Sequence, residues 1–169
     1  MWRNIVLSDH LTDEGLKGEL LVTLSYLSSS QRIGCTIAKA KGLILTATDK
    51  DLHAKITLLS RDEEQQSVVT NSTQPKQNPE FNQEFIFRFA DFRNVTIDGI
   101  ALRIDIIARQ SGLLSQPRFL GRCIIGNSSN VERLGKEHWV TTLTSSKSVT
   151  QWHQLKDCLL YTSPSPRDS

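Results

Sequence analysis

Residues 100–121, IALRIDIIARQSGLLSQPRFLG, decide how the rest of the chain reads. Leu102, Ile104 and Ile106 place an apolar side chain on every second residue, the period of a strand with one buried face. Gly112, Ser115 and Pro117 then break any regular element. Phe119-Leu120-Gly121 takes the strand pattern up again. The stretch predicts strand, loop, strand, and a loop held between two buried strands is where a domain of this kind carries its function.

The same alternation recurs on both sides. In ELLVTLSY (19–26), Leu20, Val22 and Leu24 share a face; in RIGCTIAKA (32–40), Ile33, Cys35 and Ile37 do. A loop, KGLILTATDKD (41–51), leads to a third strand, HAKITLLS (53–60). The charged run Arg61 to Gln66 ends it, and SVVT (67–70) is a short fourth strand. A long polar turn region, NSTQPKQNPEFN, precedes QEFIFRF (83–89), which lines up Phe85, Phe87 and Phe89. Beyond the opening stretch, FLGRCIIG (119–126) is a strand. Residues 127–146 read as a helical insertion with Trp139, Val140 and Leu143 on its apolar face, and VTQWHQL (149–155) is the last strand. About eight short strands separated by turn signals predict an all-β fold, an antiparallel β-sandwich.

The chain has 169 residues, 38% hydrophobic and 22% charged, which suits one ordinary domain with a real core. A net charge of +2 gives no argument for nucleic acid. No apolar run reaches the ~18 residues of a transmembrane helix. Cys35 and Cys123 sit inside strand patterns and read as buried free thiols. Residues 1–17 read as a lead-in or linker and 18–157 as the domain. CLLYTSPSPRDS (158–169) resembles a translated sequencing adapter and is expected to be a non-native tail, so Cys158 carries no redox argument.

Several stretches together resemble a synaptotagmin-type C2 domain. They are GELLVTLSYLSSSQRIGCTIAKAKGL, then Asn78-Pro79-Glu80-Phe81-Asn82-Gln83-Glu84-Phe85, then Leu120-Gly121 after the third top loop. The HW pair in Gly135-Lys136-Glu137-His138-Trp139 and the WHxL ending Trp152-His153-Gln154-Leu155 are similar to the family's second, membrane-distal C2 domain. The resemblance covers residues 18–155 and implies an eight-stranded antiparallel sandwich in a vesicle-trafficking protein. It also implies a cytoplasmic-face location on vesicle or plasma membrane, with any membrane anchor outside this chain.

In that family, carboxylates from the first and third top loops hold Ca²⁺, which needs about 6–8 oxygen ligands. Here Asp51 falls at the second loop-one position and Ala47 near the first, with Asp49 reachable only by a register shift. Ala108, Gln110 and Arg118 stand at the third-loop positions, and no carboxylate occurs between Ile106 and Gly121. Arg109 and Arg118 would oppose a cation there. Calcium is therefore not expected, no other cofactor is implied, and Asp49 and Asp51 read as vestigial candidates or simply as solvated turn residues.

The lysine-rich fourth strand of the family, a phosphoinositide site, is replaced here by Arg61-Asp62-Glu63-Glu64-Gln65-Gln66. Lys39, Lys41 and Lys55 remain as a modest basic surface on neighbouring strands. Leu113 and Leu114, flanked by Arg109 and Arg118, can fold back on the sandwich, meet a protein or enter a membrane. Trp139 and Trp152 read as packing residues, and His153 as a hydrogen-bonded strand residue. The histidines show no metal-ligand spacing. No catalytic motif occurs, so an enzyme is not expected. The favoured reading is a calcium-independent binding module that contacts SNARE-type proteins, other C2 domains or anionic membranes. Its alternatives are a calcium-dependent lipid sensor and a structural spacer.

Overall fold

The computed structural model describes residues 16–89, 92, 95–112, 115–128 and 131–157. Eight antiparallel strands follow in order: β1 (Leu16–Leu27), β2 (Arg32–Lys41), β3 (Asp49–Ser60), β4 (Glu63–Val69), β5 (Glu80–Arg88), β6 (Ile100–Gln110), β7 (Arg118–Gly126) and β8 (Val149–Lys156). One helix, α1 (Arg133–Thr144), precedes β8. The hydrogen-bonded path runs β4-β3-β6-β7-β8-β1-β2-β5. It divides into two four-stranded halves that, among the described residues, are joined at the pair Arg122 and Lys156.

Alternation explains the layering. Leu20, Val22 and Leu24 of β1, Ile33, Cys35 and Ile37 of β2 and Phe87 of β5 are buried from one half. Leu52, Ala54, Ile56 and Leu58 of β3 and Leu102, Ile104 and Ile106 of β6 are buried from the other, and all belong to one core cluster. The expected antiparallel sandwich is therefore the fold. Cys35 and Cys123 are free and buried in that core. Burial, and then the Glu84 charge, push the Cys35 thiol up to about 12, so it stays protonated.

Two strand boundaries differ from expectation. The charged run ending in Gln66 is not a turn beyond β3: only Arg61 and Asp62 turn, with φ of 52° and 69°, and Glu63 already begins β4. Two adjacent positive-φ residues make the tight hairpin turn that matches strand twist, but without the Asn-Gly signal that would announce it. Likewise Asp49 and Asp51 are strand residues of β3 rather than loop residues, because Asp51 lies across from Arg109 of β6 and the opposite charges hold the register.

The helix also turns a different face inward. Gly135, His138, Trp139 and Thr142 are buried, whereas Val140 is 57% exposed. Their i, i+3, i+4, i+7 spacing is a regular buried stripe, disguised in the sequence because only Trp139 among them is strongly apolar. Gly135 lets the helix reach β7: a Cβ there would stand 2.4 Å from the Ile124 carbonyl oxygen and 2.7 Å from Val131 Cγ1. Gly135→Ala should lower stability by about 2 kcal/mol, despite alanine's better helix propensity, because a backbone atom cannot step aside. Urea unfolding of the variant checks this.

Candidate functional site

Three segments meet at one end of the sandwich: residues 42–48 after β2, residues 70–79 after β4, and residues 111, 112 and 115–117 between β6 and β7. Beside them, four charged side chains pair off. The Asp49 side chain is fully shielded from solvent. It accepts hydrogen bonds from Arg118 Nε at 3.1 Å and Arg118 Nη2 at 2.6 Å, from the Thr46 amide at 2.8 Å, and from Gln110 Nε2. Arg118 Nη2 also donates to the Ile44 carbonyl at 3.0 Å, so the guanidinium ties the first loop to the start of β7. Thr48 Oγ1 donates to Gln110 at 2.7 Å and adds a second tie. Asp51 accepts from Arg109 Nε at 3.0 Å and from Arg109 Nη2.

Burial by itself would raise the Asp49 carboxyl, but the bonds from Arg118, the Thr46 amide and Gln110 outweigh it. They hold the group well below the usual carboxylate range. The Arg109 guanidinium lowers Asp51 in the same way. Neither aspartate is a solvated turn residue, so that expectation fails. What the sequence reading missed is that the two arginines answer the two aspartates. The available signal was register: a carboxylate at the start of β3 opposite a guanidinium at the end of β6.

This donor set does not fit a calcium ion. Asp49 is engaged on both oxygens and Asp51 on Oδ2; only Asp51 Oδ1 is buried without a partner. One open oxygen is far from the ~6–8 that Ca²⁺ takes. Among the described residues, no cluster of three or more His, Cys, Asp and Glu side chains is placed to hold a metal. Leu113 and Leu114, the proposed apolar tip, lie outside the described residues.

The other expected surfaces separate. Lys39 and Lys41 are on β2 and Lys55 on β3, which the path places apart with β6, β7, β8 and β1 between them. They are not on neighbouring strands, so no single basic surface forms. Lys41 Nζ instead sits 4.3 Å from the ring centre of Trp152, a cation–π contact. The outer face of β4-β3-β6-β7 carries a charge ladder. Arg103 donates to Glu64 at 2.7 Å and lies 3.7 Å from Asp105, which also accepts from Arg122. The charges cancel between strands, where a lysine run would have left a field.

His138 and His153 meet in the interior between α1 and β8. His138 Nε2 lies 2.8 Å from the Val149 carbonyl, and its Nδ1 lies 2.7 Å from His153 Nε2. A carbonyl only accepts, so His138 carries its proton on Nε2 and its Nδ1 accepts from His153 Nε2–H. The rings stack with centroids 4.9 Å apart. Burial, and then the neighbouring His138, push His153 down to about 3. Leu155, which ends the WHxL stretch, is fully buried. His153 and Leu155 therefore serve the interior, while Trp152 faces out.

The chain belongs to the C2 domain family, whose profile matches residues 31–155. Among individual proteins it is similar to synaptotagmins. It is 28% identical to mouse synaptotagmin-9 over 163 residues, covering 93% of this chain and 31% of that protein. It is 30% identical to human synaptotagmin-12 over 142 residues, covering 82% and 32%. The chain thus spans about a third of the length of these curated relatives. Two solved structures share the fold at 18% identity. A C2 domain of the RIM protein from Drosophila has a TM-score of 0.57, covering 83% of this chain and 98% of that one. The third C2 domain of KIAA1228 protein has a TM-score of 0.62, covering 88% and 92%. Among the described residues, no helix is long and apolar enough to cross a membrane.

Proposed function

We propose that this chain is a binding module of a synaptotagmin-like trafficking protein, of the second C2 type, that works without calcium. The observation that carries the reading is the seating of Arg118 on Asp49 and of Arg109 on Asp51. In a calcium-driven domain, metal binding neutralises loop carboxylates and changes the charge of the loop end. Here two guanidinium groups neutralise them permanently, so the loop end is in one charge state at all times. Contact with its partners, SNARE-type proteins, other C2 domains or anionic membranes at the cytoplasmic face of a vesicle or plasma membrane, is then constitutive. Its control passes to the supply of partners rather than to a metal.

Calorimetric titration of the chain with Ca²⁺ up to millimolar concentration tests the metal part. No saturable heat is expected, and clear micromolar binding would sink the reading. Sedimentation with phosphatidylserine vesicles tests the membrane part, and the bound fraction should be the same with and without chelator.

A further inference from the structure

The outer face of the β8-β1-β2-β5 half carries a notch whose floor is Gly34. Three strands meet there in register. Leu27, Arg32 and Arg88 form one row across β1, β2 and β5, and Ser25, Gly34 and Ile86 form the next. These positions face away from the core, since their neighbours Leu24, Ile33, Cys35 and Phe87 are buried. With no side chain at position 34, a hollow of about 140 Å³ opens between Leu27, Ile86, Ser25 and Glu84.

The fold does not require glycine at this point. A Cβ at position 34 would meet Ser25 Oγ at 2.7 Å and Glu84 Oε2 at 3.2 Å. Both are ends of side chains that can turn aside. A glycine inside a strand costs stability and commonly marks a place where a ligand or another chain comes close.

The rim indicates what would come close. Leu27 and Ile86 are 50% and 51% exposed on either side of the hollow. Arg32 and Arg88 are direct cross-strand partners, and like charges in that relation destabilise a sheet. Arg103, Arg109, Arg118 and Arg122, the arginines within the strands of the other half, each hold a carboxylate. Among the described residues neither Arg32 nor Arg88 does, and Arg32 Nε is buried without a hydrogen-bond partner.

We propose that this notch docks a segment of a partner protein. The segment sets an aliphatic side chain over Gly34, between Leu27 and Ile86, and lays a carboxylate across Arg32 and Arg88. A carboxylate accepts from two guanidinium groups at once and removes their mutual repulsion. Glu84 on the rim of the hollow can accept from a backbone amide of the docked segment, which favours protein over membrane. The surface is distant from the calcium-free loop end, so it does not depend on the reading given for that end.

The test uses the full chain, isotope-labelled for NMR, with two synthetic peptides, one alternating Glu and Leu and one alternating Glu and Ser. Phosphatidylserine vesicles are titrated separately. The Glu–Leu peptide should shift the amides of Gly34 and Ile86 and bind more tightly than the Glu–Ser peptide. Its affinity should fall about tenfold or more in Arg32→Ala/Arg88→Ala and in Gly34→Val. Arg88→Glu, at an exposed position, gives the same loss without touching the packing and keeps the test open if another variant unfolds. Unchanged affinity in Arg88→Glu overturns the proposal, as does a lack of peptide-induced shifts on this face. Shifts of these amides by vesicles and not by peptide overturn it in favour of a lipid site.

Discussion

Replacing Arg118 with alanine is expected to lower the unfolding free energy by about 3 kcal/mol. The reason is asymmetry. Arg118 is a third exposed, but the Asp49 side chain it serves is fully shielded. Removing the cation leaves a buried carboxylate with only the Thr46 amide and Gln110 for partners. The aspartate then keeps its charge at a cost or takes up a proton, and burial drives its pKa upward. Removing both groups should restore much of the loss, because no uncompensated charge remains. Asp49→Ala/Arg118→Ala is therefore predicted to be more stable than Arg118→Ala alone. Urea unfolding of the two single variants and the double variant measures the coupling. If Arg118→Ala matches the parent in stability, the pair is not what holds the loop end. Arg109 provides the contrast: its partner Asp51 is more open to solvent and Arg109 itself is 60% exposed, so its removal should be far milder.

Acid should weaken the domain well before its carboxylates titrate. His138 and His153 are neutral in the fold, and burial lowers both from their ordinary value of 6.5. Below pH 6.5 the unfolded chain binds a proton at each, while His153 in the fold resists until about pH 3. The unfolded state then holds more protons, so stability falls as pH falls. Between pH 6.5 and 5, His153 alone accounts for about 2 kcal/mol at ~1.4 kcal/mol per pH unit. His138 acts in the same direction, as does His53, half-buried on β3. Above pH 7 none of them contributes, because they are neutral in both states. Asp49 and Asp51 add a second loss, below their ordinary value of 3.8. Denaturant unfolding from pH 7.5 to 4 should show the first decline, and its slope should flatten in His138→Gln/His153→Gln. A flat stability profile down to pH 5 in the parent chain would show that the pair is not buried as described.

How far the sequence reached depends on what each element is made of. Strands whose inward residues are apolar were legible from period alone: β1, β2 and β6 each bury the three residues that alternation selects. The elements that escaped are those held by charge or by close approach. β3 begins at Asp49, which Arg118 holds, and β4 at Glu63 beside Glu64, which Arg103 holds, so both strands start on residues with poor strand propensity. The buried stripe of α1 is made of glycine, histidine and threonine beside one tryptophan, so no hydrophobic pattern showed it. At the loop end both signs of charge were legible, but not their pairing. Arg109 and Arg118 read as groups that would repel a cation, when each is bonded to the aspartate it faces. Pairing is a property of register, and register follows from strand ends that composition does not fix.

The adjacency of β1 and β8 has a mechanical consequence. The two strands are antiparallel, and Leu16 lies across from Lys156. The described chain therefore enters and leaves the domain ~5 Å apart, on one side, at the end that carries Asp49 and Arg118. Flanking segments attached to different bodies would pull on this pair like the two tabs of a zipper, loading its hydrogen bonds one at a time instead of together. Under tension the domain should open from β8 inward at low force. The same arrangement lets it hang from a continuous tether as a side unit, with the notch around Gly34 pointing away from whatever the tether joins.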